Sequence, residues 1–187
     1  MNPDDKRLLR ARMRKVRAAL AAADPSASDR AAERMPLDRL PAYSTFSGYR
    51  AAGSEMDPQP LMTRLLETGA VSTLPVATRG APLAFRAWRP GEALAPDSFG
   101  VPAPLENATL VVPQLVICPL LAFDRAGGRL GQGGGHYDRA LAALRATGPV
   151  FVLGLAYAGQ EVEELALEAH DQRLDAILTE TGYIVVG

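Results

Sequence analysis

Residues 121–141, LAFDRAGGRLGQGGGHYDRAL, carry six glycines: Gly127, Gly128, Gly131, Gly133, Gly134 and Gly135. An apolar run ends just before them and a helical pattern begins just after. Between the two stand Asp124, Arg125, Arg129, His136, Tyr137, Asp138 and Arg139. Without a Cβ in the way, backbone N–H groups can surround an anion. A helix that starts where such a loop ends adds its positive N-terminal dipole. The stretch reads as a phosphate cradle with an arginine beside it and a carboxylate placed for a metal. A plain flexible loop is the alternative, but loops rarely gather so many ionisable and aromatic side chains between two buried elements. Neither standard phosphate motif is present. Gly133 is followed by Gly134 and Gly135 rather than Lys and Ser or Thr, and His136 stands where a GxGxxG would end in glycine.

Working outward, residues 115–121 are predicted as a buried strand with Pro119 at its end. Residues 137–147 form a helix with Ala140, Leu141 and Leu144 inward, stopped by Gly148-Pro149. Residues 150–156 are apolar without alternation apart from Gly154, as in a strand covered on both faces. A short helix at 160–165, a loop through His170-Asp171, and strands at 174–179 and 183–186 close the chain. At the other end, Leu9, Met13, Val16 and Leu20 predict an amphipathic helix over residues 3–23. Its Lys6, Arg7, Arg10, Arg12, Arg14, Lys15 and Arg17 read mostly as a solvated basic face. Lys6 and Arg10, four apart, share one face and reach a polyphosphate if the helix folds back over the glycine loop.

A second helix is expected at 26–37 and a strand at 43–49. A turn at 51–56 holds Gly53 and Glu55, and Asp57-Pro58 opens a helix that stops at Gly69. Strands follow at 71–77 and 83–89, the latter bearing Phe85 and Trp88. Residues 90–113, with Pro90, Pro96, Pro102, Pro104 and Pro113, form an irregular excursion without a helix or a long strand. It is too apolar to be a linker, so residues 1–187 are taken as a single domain. Strands alternating with helices give an α/β fold with a mostly parallel sheet and helices on both faces. Ligands bind such sheets at the carboxyl ends of the strands, where the glycine loop lies.

Composition sets the outer bounds. The chain has 187 residues, 48% of them hydrophobic and 22% charged, as in an ordinary folded protein. A net charge of -1 argues against a general nucleic-acid-binding domain. One cysteine, Cys118, excludes an intrachain disulfide and reads as a buried apolar packer. No apolar run is long enough for a membrane span, and the first residues lack a signal core. A cytoplasmic protein is expected.

The residues from Arg129 to Arg139, RLGQGGGHYDR, resemble the RLGxGxGYYD signature of the 5-formyltetrahydrofolate cyclo-ligase family. Further matches run in the family's order. Lys6 and Arg10 resemble its K-x-x-x-R helix, and Gly53-Ser54-Glu55-Met56-Asp57 its glutamate-bearing turn. Phe85, Trp88, Pro90 and Gly91 resemble its F-x-x-W-x-P-G element. The stretch 154–156 with Gln160 and His170-Asp171 resembles its closing G-L-A, Q and H-D pattern.

The resemblance implies the three-layer α/β fold that the family shares with sugar-phosphate isomerases and coenzyme A transferases. It implies ATP- and Mg²⁺-dependent closure of 5-formyltetrahydrofolate, with or without a polyglutamate tail, to 5,10-methenyltetrahydrofolate by a monomer that engages no nucleic acid or membrane. Catalytic roles fall on Arg129, His136 and Tyr137. ATP is assigned to Lys6, Arg10 and the run Arg129, Leu130, Gly131, Gln132, Gly133, Gly134, Gly135, His136 and Tyr137. Folate is assigned to Glu55, Trp88, Gly133, Gly134, Gly135 and His136, and Mg²⁺ to Asp138 and Asp171. A helix cap is the plain reading of Asp138, a turn cap that of Asp171, and an exposed turn residue that of Glu55.

The chain departs from the pattern twice. His136 stands where the family often has Tyr, and Gly134 where it sometimes has Lys. A histidine still donates a hydrogen bond and titrates near neutrality, which bears on the pH dependence of the rate. Two other readings stay open on sequence: a sugar-phosphate or coenzyme A enzyme on the same fold, and a catalytically silent folate-binding paralogue.

Overall fold

The structure, a computed structural model, describes residues 3–186. The amphipathic pattern at the start becomes one long helix, α1 (Pro3–Ala23), followed by α2 (Ala27–Arg34). Strand β1 (Thr45–Ser47), helix α3 (Gln59–Leu66) and strand β2 (Val71–Val76) form a crossover unit in which β1 and β2 pair in parallel. Strand β3 (Ala84–Ala87) returns antiparallel to β2. The proline-rich excursion folds into a separate small hairpin, β4 (Leu94–Pro96) and β5 (Pro102–Pro104). Then come β6 (Leu115–Pro119) and a two-stranded ribbon of β7 (Ala122–Phe123) and β8 (Arg129–Leu130). Helix α4 (His136–Thr147) and strands β9 (Phe151–Leu155), β10 (Ala176–Thr179) and β11 (Gly182–Val185) complete the chain.

The main sheet has seven strands in the order β11-β10-β9-β6-β1-β2-β3. Its inner five strands are parallel, and β3 and β11 run antiparallel at the edges. Alternation explains why both faces are covered. Leu115, Ile117, Leu153, Leu155, Ala176 and Leu178 join one core cluster with the apolar sides of α2 and α3. Val116, Cys118, Val152 and Ile177 join a second with Leu141 and Leu144 of α4. Successive strand residues point to opposite faces, so an unbroken apolar run is what a middle layer requires. The expected three-layer arrangement is present.

A third cluster positions the site. Leu9, Met13 and Val16 of α1 pack on Leu121, Ala122, Leu130 and Leu165. This seats α1 beside the β7–β8 ribbon, past the carboxyl end of β6.

Two expectations need correction. Residues 160–165 are not an α-helix: a 3-10 turn covers Ala158–Gln160, and the chain then runs irregularly. Its amides bond to tertiary partners instead of helical ones, Val162 N to Phe123 O at 2.8 Å and Leu165 N to Asp124 Oδ2 at 2.8 Å. Arg17 is not on a solvated face; only 5% of it is exposed. Among the described residues, no helix is long and apolar enough to cross a membrane.

Candidate active site

A cleft of about 550 Å³ opens where α1, the glycine loop and the turn 51–56 meet. Helix α4 starts at Gly135, which caps it in the left-handed region at φ 62°. Gly133 also needs positive φ, at 104°, so the loop turns through conformations that a side chain would strain. Helix α1 holds this loop from outside. Arg10 Nε donates to Gly131 O at 3.1 Å and Arg14 Nε to Gln132 Oε1 at 3.0 Å. Leu130 faces the cleft with its backbone neighbours, but it is buried in the cluster beneath α1.

Arg129 lies at the base of the loop with its side chain only 5% exposed. One guanidinium nitrogen donates to Gln172 O at 2.6 Å and the other to Asp138 Oδ1 at 2.6 Å. Asp138 Oδ1 also accepts the Gln172 amide at 3.0 Å. The pair ties the start of the loop, the first turn of α4 and the segment bearing Asp171 into one wall. Asp171 Oδ2 accepts Glu168 N at 2.8 Å and lies 3.6 Å from Lys6 Nζ. Lys6 makes its closer contact with Glu168 Oε1, at 2.6 Å. The Lys6 hydrogen bond holds the Glu168 carboxyl below the usual carboxylate range. Lys6, Arg10, Arg129, Asp138 and Asp171 therefore line one cleft, although the first and the last are 165 positions apart in the chain.

Glu55 lines the same cleft. Its Oε2 accepts the Ala52 amide at 3.0 Å and its Oε1 lies 3.5 Å from Arg17 NH1. Burial pushes its carboxyl above the ordinary value, opposed by the Ala52 amide and the Arg17 guanidinium. Tyr137 also lines the cleft, its phenol pushed well up by burial, with Cys118 and Glu55 adding to the shift. It stays a hydrogen-bond donor at neutral pH.

His136 is met by Phe99 edge to face, with ring centroids 5.1 Å apart, and Arg79 lies 5.3 Å from the centre of the Phe99 ring. A Cβ built on Gly134 would come 2.7 Å from His136 Cδ2. The two departures from the family pattern thus involve the same space: the ring at 136 lies where a side chain at 134 would begin.

Trp88 is not brought to this cleft. It is 5% exposed, packs in the core cluster with α2 and α3, and donates from Nε1 to Glu92 O at 3.1 Å. Phe85 is 4% exposed and does not line the cleft either. Phe99, 49% exposed, is the aromatic ring that the excursion brings in. Sequence reading passed over Phe99 and Glu168, which reach the cleft only through tertiary folding. Arg17 had a signal: positions 6, 10, 13 and 17 fall on one helical stripe.

Among the described residues, no group of three or more His, Cys, Asp or Glu gathers to hold a metal by side chains alone. A magnesium ion bound through one or two carboxylates together with phosphate oxygens and waters needs no such group. Both donors to Asp138 end on Oδ1, so Oδ2 takes no part in its bonds to Arg129 and Gln172. The donor set fits that mode.

A family model described as the 5-formyltetrahydrofolate cyclo-ligase family matches residues 2–180. A 5-formyltetrahydrofolate cyclo-ligase of Mycolicibacterium smegmatis is 35% identical over 144 residues, 72% of this chain and 73% of its own length. One of Haemophilus influenzae is 32% identical over 192 residues, 95% of this chain and 99% of its own. The solved 5,10-methenyltetrahydrofolate synthetase of Aquifex aeolicus superposes with a TM-score of 0.78 at 26% identity, over 97% of this chain and 92% of that one. That of Mycoplasma pneumoniae, at 21% identity and a TM-score of 0.72 over 94% and 99%, shares the fold.

Proposed function

The chain belongs to the 5-formyltetrahydrofolate cyclo-ligase family and is a ligase of folate one-carbon metabolism; we propose that it closes 5-formyltetrahydrofolate to 5,10-methenyltetrahydrofolate with ATP and Mg²⁺ in this cleft. Lys6, Arg10 and Arg129 receive the polyphosphate, with backbone N–H groups of Leu130, Gly131, Gln132, Gly133, Gly134 and Gly135 and the start of α4 at His136 and Tyr137. Asp138 and Asp171 would hold Mg²⁺, which when bound would supply positive charge against the phosphates.

The γ-phosphoryl group of ATP passes to the formyl oxygen, making that oxygen a leaving group. N10 then attacks the formyl carbon. Phosphate departs with the former formyl oxygen as the ring closes, and N10 gives up its proton. The chain's residues position the reactants and stabilise charge in such a transfer. Arg129 faces the charge that develops on the transferring group. Tyr137, kept protonated by burial, donates a hydrogen bond beside the reacting centre, and His136 does so from the loop.

Glu55 suits the edge of a reduced pterin, because a carboxylate can accept two N–H groups from its 2-amino-pyrimidinone ring. Gly133, Gly134, Gly135 and His136 face the same substrate. Phe99 supplies the apolar ring surface once expected of Trp88. We take the acting unit to be a monomeric single domain working in the cytoplasm on a folate that carries one or more glutamates, without engaging nucleic acid.

The convergence of Lys6, Arg10, Arg129, the glycine loop and Glu55 on one cleft carries this reading. Purified protein should generate the methenyl chromophore from 5-formyltetrahydrofolate only when ATP and Mg²⁺ are both present. No absorbance change with both would defeat it.

A further inference from the structure

We propose that Arg17 is a positioning residue for Glu55, fixing the carboxylate that meets the folate from behind the cleft wall. This rests on the reading of Glu55 as a substrate contact. Arg17 Nε donates to Ser54 Oγ at 3.2 Å, and its NH1 donates to Leu120 O at 3.2 Å while lying 3.5 Å from Glu55 Oε1. The two side chains are 6% and 11% exposed. Glu55 Oε2 is held from the other side by Ala52 N. One guanidinium thus joins α1, the glutamate turn and the carbonyl end of β6, and both oxygens of Glu55 are directed.

Its place on α1 gives the arrangement wider meaning. Lys6 and Arg10 from the same stripe line the phosphate side of the cleft. A single helix therefore presents cations to both halves. A carboxylate buried beside a removed cation loses the interaction that keeps it charged. The ionisable groups around Glu55 from the packed elements are Arg17 on α1, Tyr49 after β1 and Tyr137 on α4, and burial keeps both tyrosines protonated. Removing Arg17 leaves Glu55 to protonate at a higher pH. Folate affinity in such a variant should fail first at low pH and recover as pH rises.

The test compares Arg17→Met, Arg17→Gln, Arg17→Lys and Glu55→Gln in the whole enzyme, with kcat and the KM values for folate and ATP measured separately. Glu55→Gln and Arg17→Met should each raise the folate KM about 30-fold or more at pH near 7, as expected for truncating one member of a buried charge pair. The ATP KM should stay within about twofold in both. Raising the pH from about 6.5 to about 8.5 should restore folate affinity in Arg17→Met, but not in Glu55→Gln, whose amide cannot ionise. Arg17→Lys should recover most of the loss. Arg17→Gln keeps N–H donors without the charge, so it should repeat the pH-dependent defect if the methionine variant does not fold. An unchanged folate KM in Glu55→Gln would overturn the role of Glu55 itself. A raised KM there, with Arg17→Met and Arg17→Gln either normal or impaired equally for folate, ATP and turnover at every pH, would overturn the role of Arg17 alone.

Discussion

Arg129 and Asp138 flank the glycine loop and close on each other across it, NH2 to Oδ1 at 2.6 Å. The arginine also donates to Gln172 O, so it braces the loop as well as facing the cleft. Its removal by alanine would confound catalysis with collapse of this wall. Arg129→Lys retains a charge but not the planar fork that spans both partners. Its kcat should fall about 10²- to 10³-fold, the usual effect of losing a transition-state donor, while the melting temperature shifts far less than in Arg129→Ala. Turnover of Arg129→Lys at the native rate would remove the arginine from the chemistry.

The glycines separate loop geometry from ligand approach. A Cβ on Gly131 meets nothing within 4 Å, whereas at Gly133, with φ 104°, a Cβ would come 3.4 Å from Arg10 Cζ. Gly131→Ala should fold with native stability yet raise the ATP KM several-fold, because the methyl group intrudes where phosphate approaches. Gly133→Ala should in addition lose about 1 kcal/mol or more of stability through strain. An unaltered ATP KM in Gly131→Ala would show that phosphate does not approach that backbone.

Asp138→Asn preserves shape and one acceptor while withdrawing a metal-binding charge. It should raise the Mg²⁺ concentration needed for half-maximal activity by about tenfold or more. Chelation of Mg²⁺ should abolish turnover of the native enzyme, with recovery on adding the ion back. A Mg²⁺ titration curve for Asp138→Asn that overlays the native one would exclude this carboxylate as a ligand.

Asp124, 4% exposed, serves structure. Its Oδ1 accepts the amides of Ala126 and Gly128, and its Oδ2 that of Leu165. A Cβ on Gly128 would come 2.6 Å from Oδ2, so the glycine is what admits the carboxylate. Asp124→Ala leaves the buried Gly128 and Leu165 amides unpaired and should cost about 3 kcal/mol in denaturant unfolding. A loss below about 1 kcal/mol would mean that water replaces the carboxylate freely.

Cys118 is buried in the middle of the sheet, and burial pushes its thiol up to about 12. It should resist alkylation at pH 8 in the folded enzyme and react once unfolded. Because the folded thiol ionises at a higher pH than the unfolded one, near about 8.5, its contribution to stability is intact below that pH. The contribution is lost as pH climbs towards 12. Cys118→Ala should flatten this alkaline decline in unfolding free energy. An unchanged slope would assign the decline to the buried tyrosines Tyr49 and Tyr137 instead.

Local pattern determined much of this protein by itself. The stripe Leu9, Met13, Val16 and Leu20 marked α1, and the apolar runs around Ile117 and Leu153 marked strands covered on both sides, because periodicity reports which faces must leave water. Adjacent residues also marked the phosphate loop, since glycine density and flanking charges are a property of one short stretch.

Tertiary structure alone decided what depends on distant neighbours. Residues 160–165 gave up helical bonds for Phe123 and Asp124, which lie some forty positions earlier. Trp88 went into the core and Phe99 to the cleft, a choice that hydrophobicity cannot make because both rings are apolar. Arg17 turned inward because the Leu120 carbonyl, Ser54 and Glu55 meet it there. A charge can be buried only where partners from several elements converge, and no single segment of sequence contains that convergence.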